Sequence, residues 1–226
     1  MPRTTLGPKT VLLIVHQNHA EPTASRGVLC LATSRDPTNS SGWIQRTVVF
    51  PGRSKSGALL LRDQGPHFLY WGAGKIHITS SNDPTKWTEG KEFIVSTAFD
   101  GWAQQNTGVE SGPPPMQLSD GNDLFLHNSW SFNRTQYALA GYQPAWVVIN
   151  SSDPTQIIAR APEPLWSPQR APWMEGKAPW TCNVDNVAFL EAAHPTNTKD
   201  EFRVYFGGSD TVVGSAVIKI SVPQSM

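Results

Sequence analysis

"LATSRDPTNSSGW" (31–43), "ITSSNDPTKW" (78–87) and "VINSSDPTQI" (148–157) are three versions of one unit, in which an apolar run passes through a serine into Asp-Pro-Thr. Asp36, Asp83 and Asp153 recur at intervals of 47 and 70 residues. The first interval is the length of one propeller blade, and the second is a blade carrying an insertion. The chemistry of the unit is that of a turn, because Asp accepts hydrogen bonds from the backbone just ahead of it and Pro holds φ near the value a turn needs. The three aspartates therefore mark strand ends rather than catalytic groups. A fourth strand end, "YFGGSD", closes at Asp210, 57 residues beyond Asp153.

Between these units lie further short apolar stretches, among them "TVLLIV", "GALLLR", "HFLYWG", "KIHITSS", "DLFLHNS", "NVAFLEAA", "FRVYFGG" and "SAVIKISV". Turn residues separate nearly all of them, and 19 Pro with 18 Gly leave no room for long helices. Evenly spaced strands with this punctuation predict an all-β sandwich, barrel or propeller, and the repeat selects the propeller. The 226 residues are read as one domain, residues 1–226.

Eighteen basic residues balance eighteen acidic ones, so no charged field points to nucleic acid, and the expected partner is close to neutral. The longest apolar run, Val11–Val15, is too short to cross a membrane and lacks the flanks of a secretory signal. As written the chain reads as cytoplasmic. Three sequons, at Asn39, Asn133 and Asn150, would instead suit a secreted parent with further N-terminal sequence. Cys30 and Cys182 form neither a disulfide framework nor a metal motif. No phosphate-binding glycine loop and no cluster of metal ligands stands out, so no cofactor and no metal is expected.

A propeller binds ligands at one mouth of its central channel, so polar residues on inner strands and loops are the candidates. Glu110 in "VESGPPPM" precedes Gly112 and Pro113–Pro115, which predicts a stiff inner-loop corner that fixes a carboxylate; an exposed loop acid is the alternative. His127 and Asn128 end the strand "LFLHNSW", where they can meet sugar hydroxyls or satisfy the strand end. Asp210 follows two glycines that permit close approach of a ligand. Trp71, beside two glycines in "FLYWGAG", is either core or a stacking platform for a sugar.

"VESGPPPMQLSDGNDLFLHNSW", "YQPAWVVINSSDPTQIIARAPEPLWSPQ" and "CNVDNVAFLEAA", followed by "DEFRVYFGGSD", together resemble glycoside hydrolase family 130, from about residue 28 to the C-terminus. The resemblance implies a five-bladed β-propeller that acts on β-mannosidic or related linkages by inversion, with phosphate or water attacking the anomeric carbon and an Asp as general acid. It implies an oligosaccharide substrate and carries a hydroxyl-binding role onto Asp210. The family's phosphate-binding Lys falls near Gly108, where there is none, and its Tyr-His pair is matched by His127 and Asn128, which favours water over phosphate. The family's acid motif resembles Glu-Asp-Pro-Arg; Pro2 and Arg3 match its end, with Met1 in the place of the Asp, and Arg3 is carried over as a substrate contact. Most of the first blade and the general acid are thus expected at or before Met1. A chain cut there is expected to be inactive and to self-associate through exposed strand edges. The rival readings are a non-catalytic carbohydrate-binding propeller and a phosphate-dependent β-mannoside phosphorylase.

Overall fold

The computed structural model describes residues 10–17, 27–36, 38–50, 54–94, 107–131, 141–168, 172, 174–175 and 184–221. Met1, Pro2, Arg3, Asn133 and Cys182 lie outside the described residues. Among those described, regular structure is strand apart from the 3-10 turn Ser40–Gly42 and a 3-10 position at Pro168.

The strands form four antiparallel sheets in chain order, the blades of a β-propeller. The first sheet holds β1 (Thr10–Gln17), β2 (Gly27–Ser34) and β3 (Ile44–Val48). The second holds β4 (Ala58–Leu60), β5 (His67–Trp71), β7 (Ile76–Ser81) and β8 (Lys91–Ile94), while the two-residue β6 (Ala73–Gly74) crosses to the next sheet. The third runs β13 (Ile157–Arg160), β12 (Gly141–Ile149), β11 (Asp123–Ser131), β9 (Thr107–Ser111) and then β6, with β10 (Met116–Gln117) on β11. The fourth is β14 (Ala188–Pro195), β15 (Glu201–Gly208) and β16 (Val212–Lys219).

Each sheet packs on the next. Leu29 and Phe50 meet Leu69 and Trp71 between the first two. Tyr70, Ile76 and Ile78 meet Phe125, Val147 and Ile149 between the second and third, and Leu124 and Leu126 meet Leu190, Val204 and Phe206 between the third and fourth. β11 thus buries both faces, and this is why "LFL" (124–126) is continuously apolar rather than alternating. The Tyr70 ring lies 4.7 Å from that of Phe125, and its hydroxyl donates to the Pro154 carbonyl at 3.0 Å, tying the second sheet to the third. Burial, helped by the Asp123 carboxylate, pushes the Tyr70 phenol far up, so it stays protonated and donating.

The Asp-Pro-Thr units are turns, as the sequence implied. Asp36 accepts from the Thr38 amide and hydroxyl at 3.0 and 2.6 Å, Asp83 from Thr85 at 2.9 and 2.6 Å, and Asp153 from Thr155 at 3.1 and 2.7 Å. The threonine hydroxyl, then its amide, holds each carboxyl below the usual carboxylate range. In every case the turn leads into the last strand of its sheet, β3, β8 or β13.

Asp210 is not a fourth copy of this turn. The start of β12 lies beside the start of β14, with Tyr142 bridged to Val187, and β15 ends beside that same point, with Gly208 opposite Ala188. Asp210, in the β15–β16 hairpin, is therefore at the opposite end of the blades from Asp153. The sequence similarity of the strand ends hid this reversal.

One crossing positions the site. β5 ends at Trp71, and Gly72 at φ 128° turns the chain so that Ala73 and Gly74 pair with Glu110 and Val109 of β9. A Cβ on Gly72 would lie 2.2 Å from the Lys75 carbonyl oxygen, so this step requires glycine. At the far edge, β16 pairs with β15 alone among the described strands and exposes Val213 and Val217.

The inter-sheet contacts predict the relative cost of two substitutions. Phe125→Ala is expected to destabilise the protein by about 3–5 kcal/mol through the cavity it leaves, and Tyr70→Phe by about 1 kcal/mol through the lost hydrogen bond. Urea unfolding of both variants measures the difference.

Candidate functional site

Glu110 is on strand β9, not on a loop corner, and the three prolines follow the strand rather than carry the acid. The residue is 2% exposed. A carboxylate at that depth needs donors, and three converge on it. Tyr142 donates its hydroxyl to Oε1 at 3.0 Å, Ser56 its hydroxyl to Oε2 at 2.8 Å, and the Lys55 ammonium lies 3.1 Å from Oε2. Ser56 holds φ at 56°, a left-handed conformation uncommon for a residue with a side chain, and the bond to Glu110 is what its hydroxyl gains there. The adjoining segment is stitched in turn: Ser54 accepts from the Leu29 amide at 2.9 Å, and the Lys55 carbonyl accepts from the Gly72 amide at 2.8 Å. Nothing in the sequence announced Lys55 or Ser56, which lie more than fifty positions upstream of Glu110.

Asn128 stands directly opposite Glu110 in the β9–β11 register but is 0% exposed. Its amide oxygen accepts from the Leu190 amide at 2.7 Å and its amide nitrogen donates to the Leu190 carbonyl at 3.2 Å. The expected sugar contact is thus replaced by a clamp between the third and fourth sheets, since both ends of the side chain are engaged by backbone.

The clamp sits next to a β-bulge. Leu190 pairs with Phe206 and Ala192 with Tyr205, so Glu191 is the extra residue of β14 with no partner opposite. Bulges of this kind re-aim a side chain. Partial burial, and then the charges of Asp210 and Glu110, hold the Glu191 carboxyl above its ordinary range. Asp210 itself occupies the exposed hairpin at φ 51°, next to the buried Ser209 at φ 50°. The site is therefore a group of three carboxylates, Glu110, Glu191 and Asp210, drawn from three different strands or turns. Glu191 was not among the sequence candidates, although an acid that interrupts the apolar run "NVAFLEAA" was a usable signal.

The other two candidates have different roles. Trp71 is 8% exposed, with its ring centroid 4.3 Å from that of Phe50 and stacked 4.6 Å from His77. Packing between the first two sheets occupies the faces that a sugar would need, so Trp71 is core and not the platform. His127 projects to the opposite face of β11 from Asn128, as neighbours in a strand must. It is 4% exposed, and burial, with the Arg160 charge adding to it, pushes its imidazole down to about 3, so it is neutral at physiological pH.

The description of the glycoside hydrolase 130 family model, beta-1,4-mannooligosaccharide phosphorylase, goes with a match over residues 25–222. A 1,2-beta-oligomannan phosphorylase from Thermoanaerobacter sp. (strain X514) is 28% identical over 194 residues, 85% of this chain and 58% of the relative. The chain resembles a structure from work on glycoside hydrolases of that family that target beta-1,2 mannosidic linkages in Candida mannan, with TM-score 0.74 at 23% identity, covering 99% of this chain and 64% of the other. It also resembles a beta-1,2-mannobiose phosphorylase from Listeria innocua in complex with beta-1,2-mannobiose, with TM-score 0.73 at 18% identity, covering 96% and 56%. The chain thus spans under two-thirds of the length of these relatives, and its four described sheets have the propeller fold of these five-bladed proteins.

Two outcomes follow from the site geometry. Glu110→Gln removes the charge and one of the two acceptor oxygens that Lys55, Ser56 and Tyr142 engage, and is expected to cost about 1–3 kcal/mol in urea unfolding. His127 binds a proton in the unfolded chain near its ordinary value, 6.5, but in the folded one only near 3. Stability is therefore complete above pH 6.5 and is lost as pH falls from 6.5 towards 3, by up to about 1.4 kcal/mol per pH unit from this one group. Replacing His127 with Gln should flatten that slope by about one proton.

Proposed function

Because the chain belongs to glycoside hydrolase family 130, we propose that it acts on β-mannosidic linkages of oligosaccharides as an inverting hydrolase, with Glu191 as the base that activates water. The observation that carries this reading is the convergence of Glu110, Glu191 and Asp210, with the Glu191 carboxyl held up by partial burial and by the other two charges. An attacking water needs a base, and a carboxylate tuned upward towards the working pH is a better one. Phosphate needs cations instead. Among the described residues the cation at this group is Lys55, and Glu110 already neutralises it. Three carboxylates around one ammonium disfavour a phosphate dianion and tolerate water.

The division of labour follows from the hydrogen bonds. Glu110, engaged by three donors, organises Lys55 and Tyr142. Glu191, to which no described residue donates, is open to a water molecule. In the proposed step Glu191 takes a proton from water, the water oxygen bonds to the anomeric carbon, and the glycosidic C–O bond breaks from the opposite side. The leaving oxygen takes a proton from a general acid outside the described residues, the role that the family resemblance gives to an Asp. Asp210, at the site's edge, binds sugar hydroxyls.

The deciding assay incubates the protein with β-linked mannobiose, with and without phosphate, and resolves the anomer by NMR. Release of α-mannose independent of phosphate is expected from the form that carries the acid motif, and none from a chain without it. Mannose 1-phosphate formed only with phosphate would make the protein a phosphorylase, and binding without release would make it a carbohydrate-binding propeller. Glu191→Gln should lower kcat by about 10²–10⁴-fold with binding retained. Asp210→Asn removes a charge that raises the Glu191 carboxyl, so the acid limb of the kcat/KM profile should move to lower pH.

A further inference from the structure

An aromatic row adjoins the three carboxylates. Trp130, near the end of β11, faces Gly108 of β9 on one side and Tyr142 of β12 on the other. Its indole lies directly over Gly108. A Cβ built on that glycine would be 2.3 Å from Cζ2 of Trp130 and 2.8 Å from Cα of Gly74. Glycine at 108 is therefore what lets the indole lie against the inner strands. The Tyr142 ring is 6.5 Å from that of Trp130 and 5.5 Å from that of Phe189, and the Tyr142 hydroxyl reaches Glu110 at 3.0 Å. Phe189 in turn is two positions before Glu191. All three rings keep part of their surface exposed, unlike Trp71, which packing encloses.

Resting on the sugar-site reading above, we propose that Trp130, laid flat by Gly108 and continued by Tyr142, is the stacking platform that selects a β-configured mannopyranose ring beside Glu191. A β-mannopyranosyl chair presents the hydrogens of C1, C3 and C5 on one face, while the axial O2 projects from the other. The hydrogen-bearing face is apolar and slightly positive, and it matches the negative face of an indole. In the α-anomer the axial O1 stands on that same face and lifts the ring away. The platform thus reads the anomeric configuration, and the hydroxyls at the ring's edge are left for Asp210.

The test measures binding of thio-linked β-mannobiose, which cannot be cleaved, by calorimetry on this chain. Trp130→Ala is expected to weaken binding on the order of 30-fold, while Trp130→Phe retains most of it. Gly108→Ala, which leaves Trp130 in place but displaces its indole, should weaken binding as well. The α-linked thio-mannobiose should bind weakly to every form. A readout that needs no variant is the NMR spectrum of the bound sugar, where H1, H3 and H5 should shift upfield in the ring current. Unchanged affinity in folded Trp130→Ala, or no upfield shift in the unsubstituted protein, overturns the platform alone. Failure of the unsubstituted protein to bind the β-linked probe overturns the sugar-site reading and the platform with it.

Discussion

A carboxylate buried on strand β9, between β6 and β11, is the constraint on which the rest depends. Glu110 can sit where it does because three donors reach it from two distant parts of the chain, Lys55 and Ser56 from one and Tyr142 from the other. Meeting that demand draws the Lys55–Ser56 segment inward, with Ser56 in a left-handed conformation. The step of β6 onto β9 depends on Gly72, and the Lys55 carbonyl is fixed by the amide of that same glycine. Tyr142, the third donor, joins the third sheet to the fourth through its amide bond to the Asn186 carbonyl at 2.9 Å. A single acid thereby couples the registry of successive blades to the mouth of the proposed site.

The fourth sheet brings the remaining charges to that mouth by a different device. Asn128 clamps the backbone of Leu190 from across the sheet boundary, and the bulge that follows leaves Glu191 without a partner in the ladder. The hairpin at Ser209 and Asp210 places two successive residues at positive φ, which turns the chain sharply beside the start of β14. Burial first, and then the repulsion of the Asp210 and Glu110 charges gathered in this way, raises the Glu191 carboxyl. In the proposed mechanism the propeller contributes rigidity and the three carboxylates the chemistry, while the aromatic row beside them is the proposed surface for a sugar ring. Its named relatives act on β-mannosides, and an acidic rather than cationic mouth is what would separate attack by water from attack by phosphate.

Much of the architecture was legible because it depends on local chemistry. Asp-Pro-Thr makes the same turn wherever it occurs, and "GVLCLATS" and "HFLYWG" are strands by composition alone. The short strands β3, β6 and β10 were not legible, since a two-residue bridge such as Ala73–Gly74 has no periodicity to read. The site was only half legible. Glu110 and Asp210 are legible as polar residues at strand ends, but the sequence does not distinguish Trp71, which packs as core, from Trp130. The difference between them is whether the face of the ring is covered by Phe50 and His77 or rests on Gly108 with surface to spare, and partners so distant in sequence leave no local trace.

What the sequence by itself determined is the all-β fold, the turns that punctuate the blades and the family to which the chain belongs, because each rests on residue types acting on their immediate neighbours. Only the tertiary structure decided which acids meet and which polar groups are already engaged. Asn128 and Glu110 face one another across a ladder, yet one is consumed by the Leu190 backbone and the other gathers Lys55, Ser56 and Tyr142. The physical reason is that hydrogen bonding and charge act over a few ångströms in space, and closing the blades brings within that range residues that are scores of positions apart along the chain.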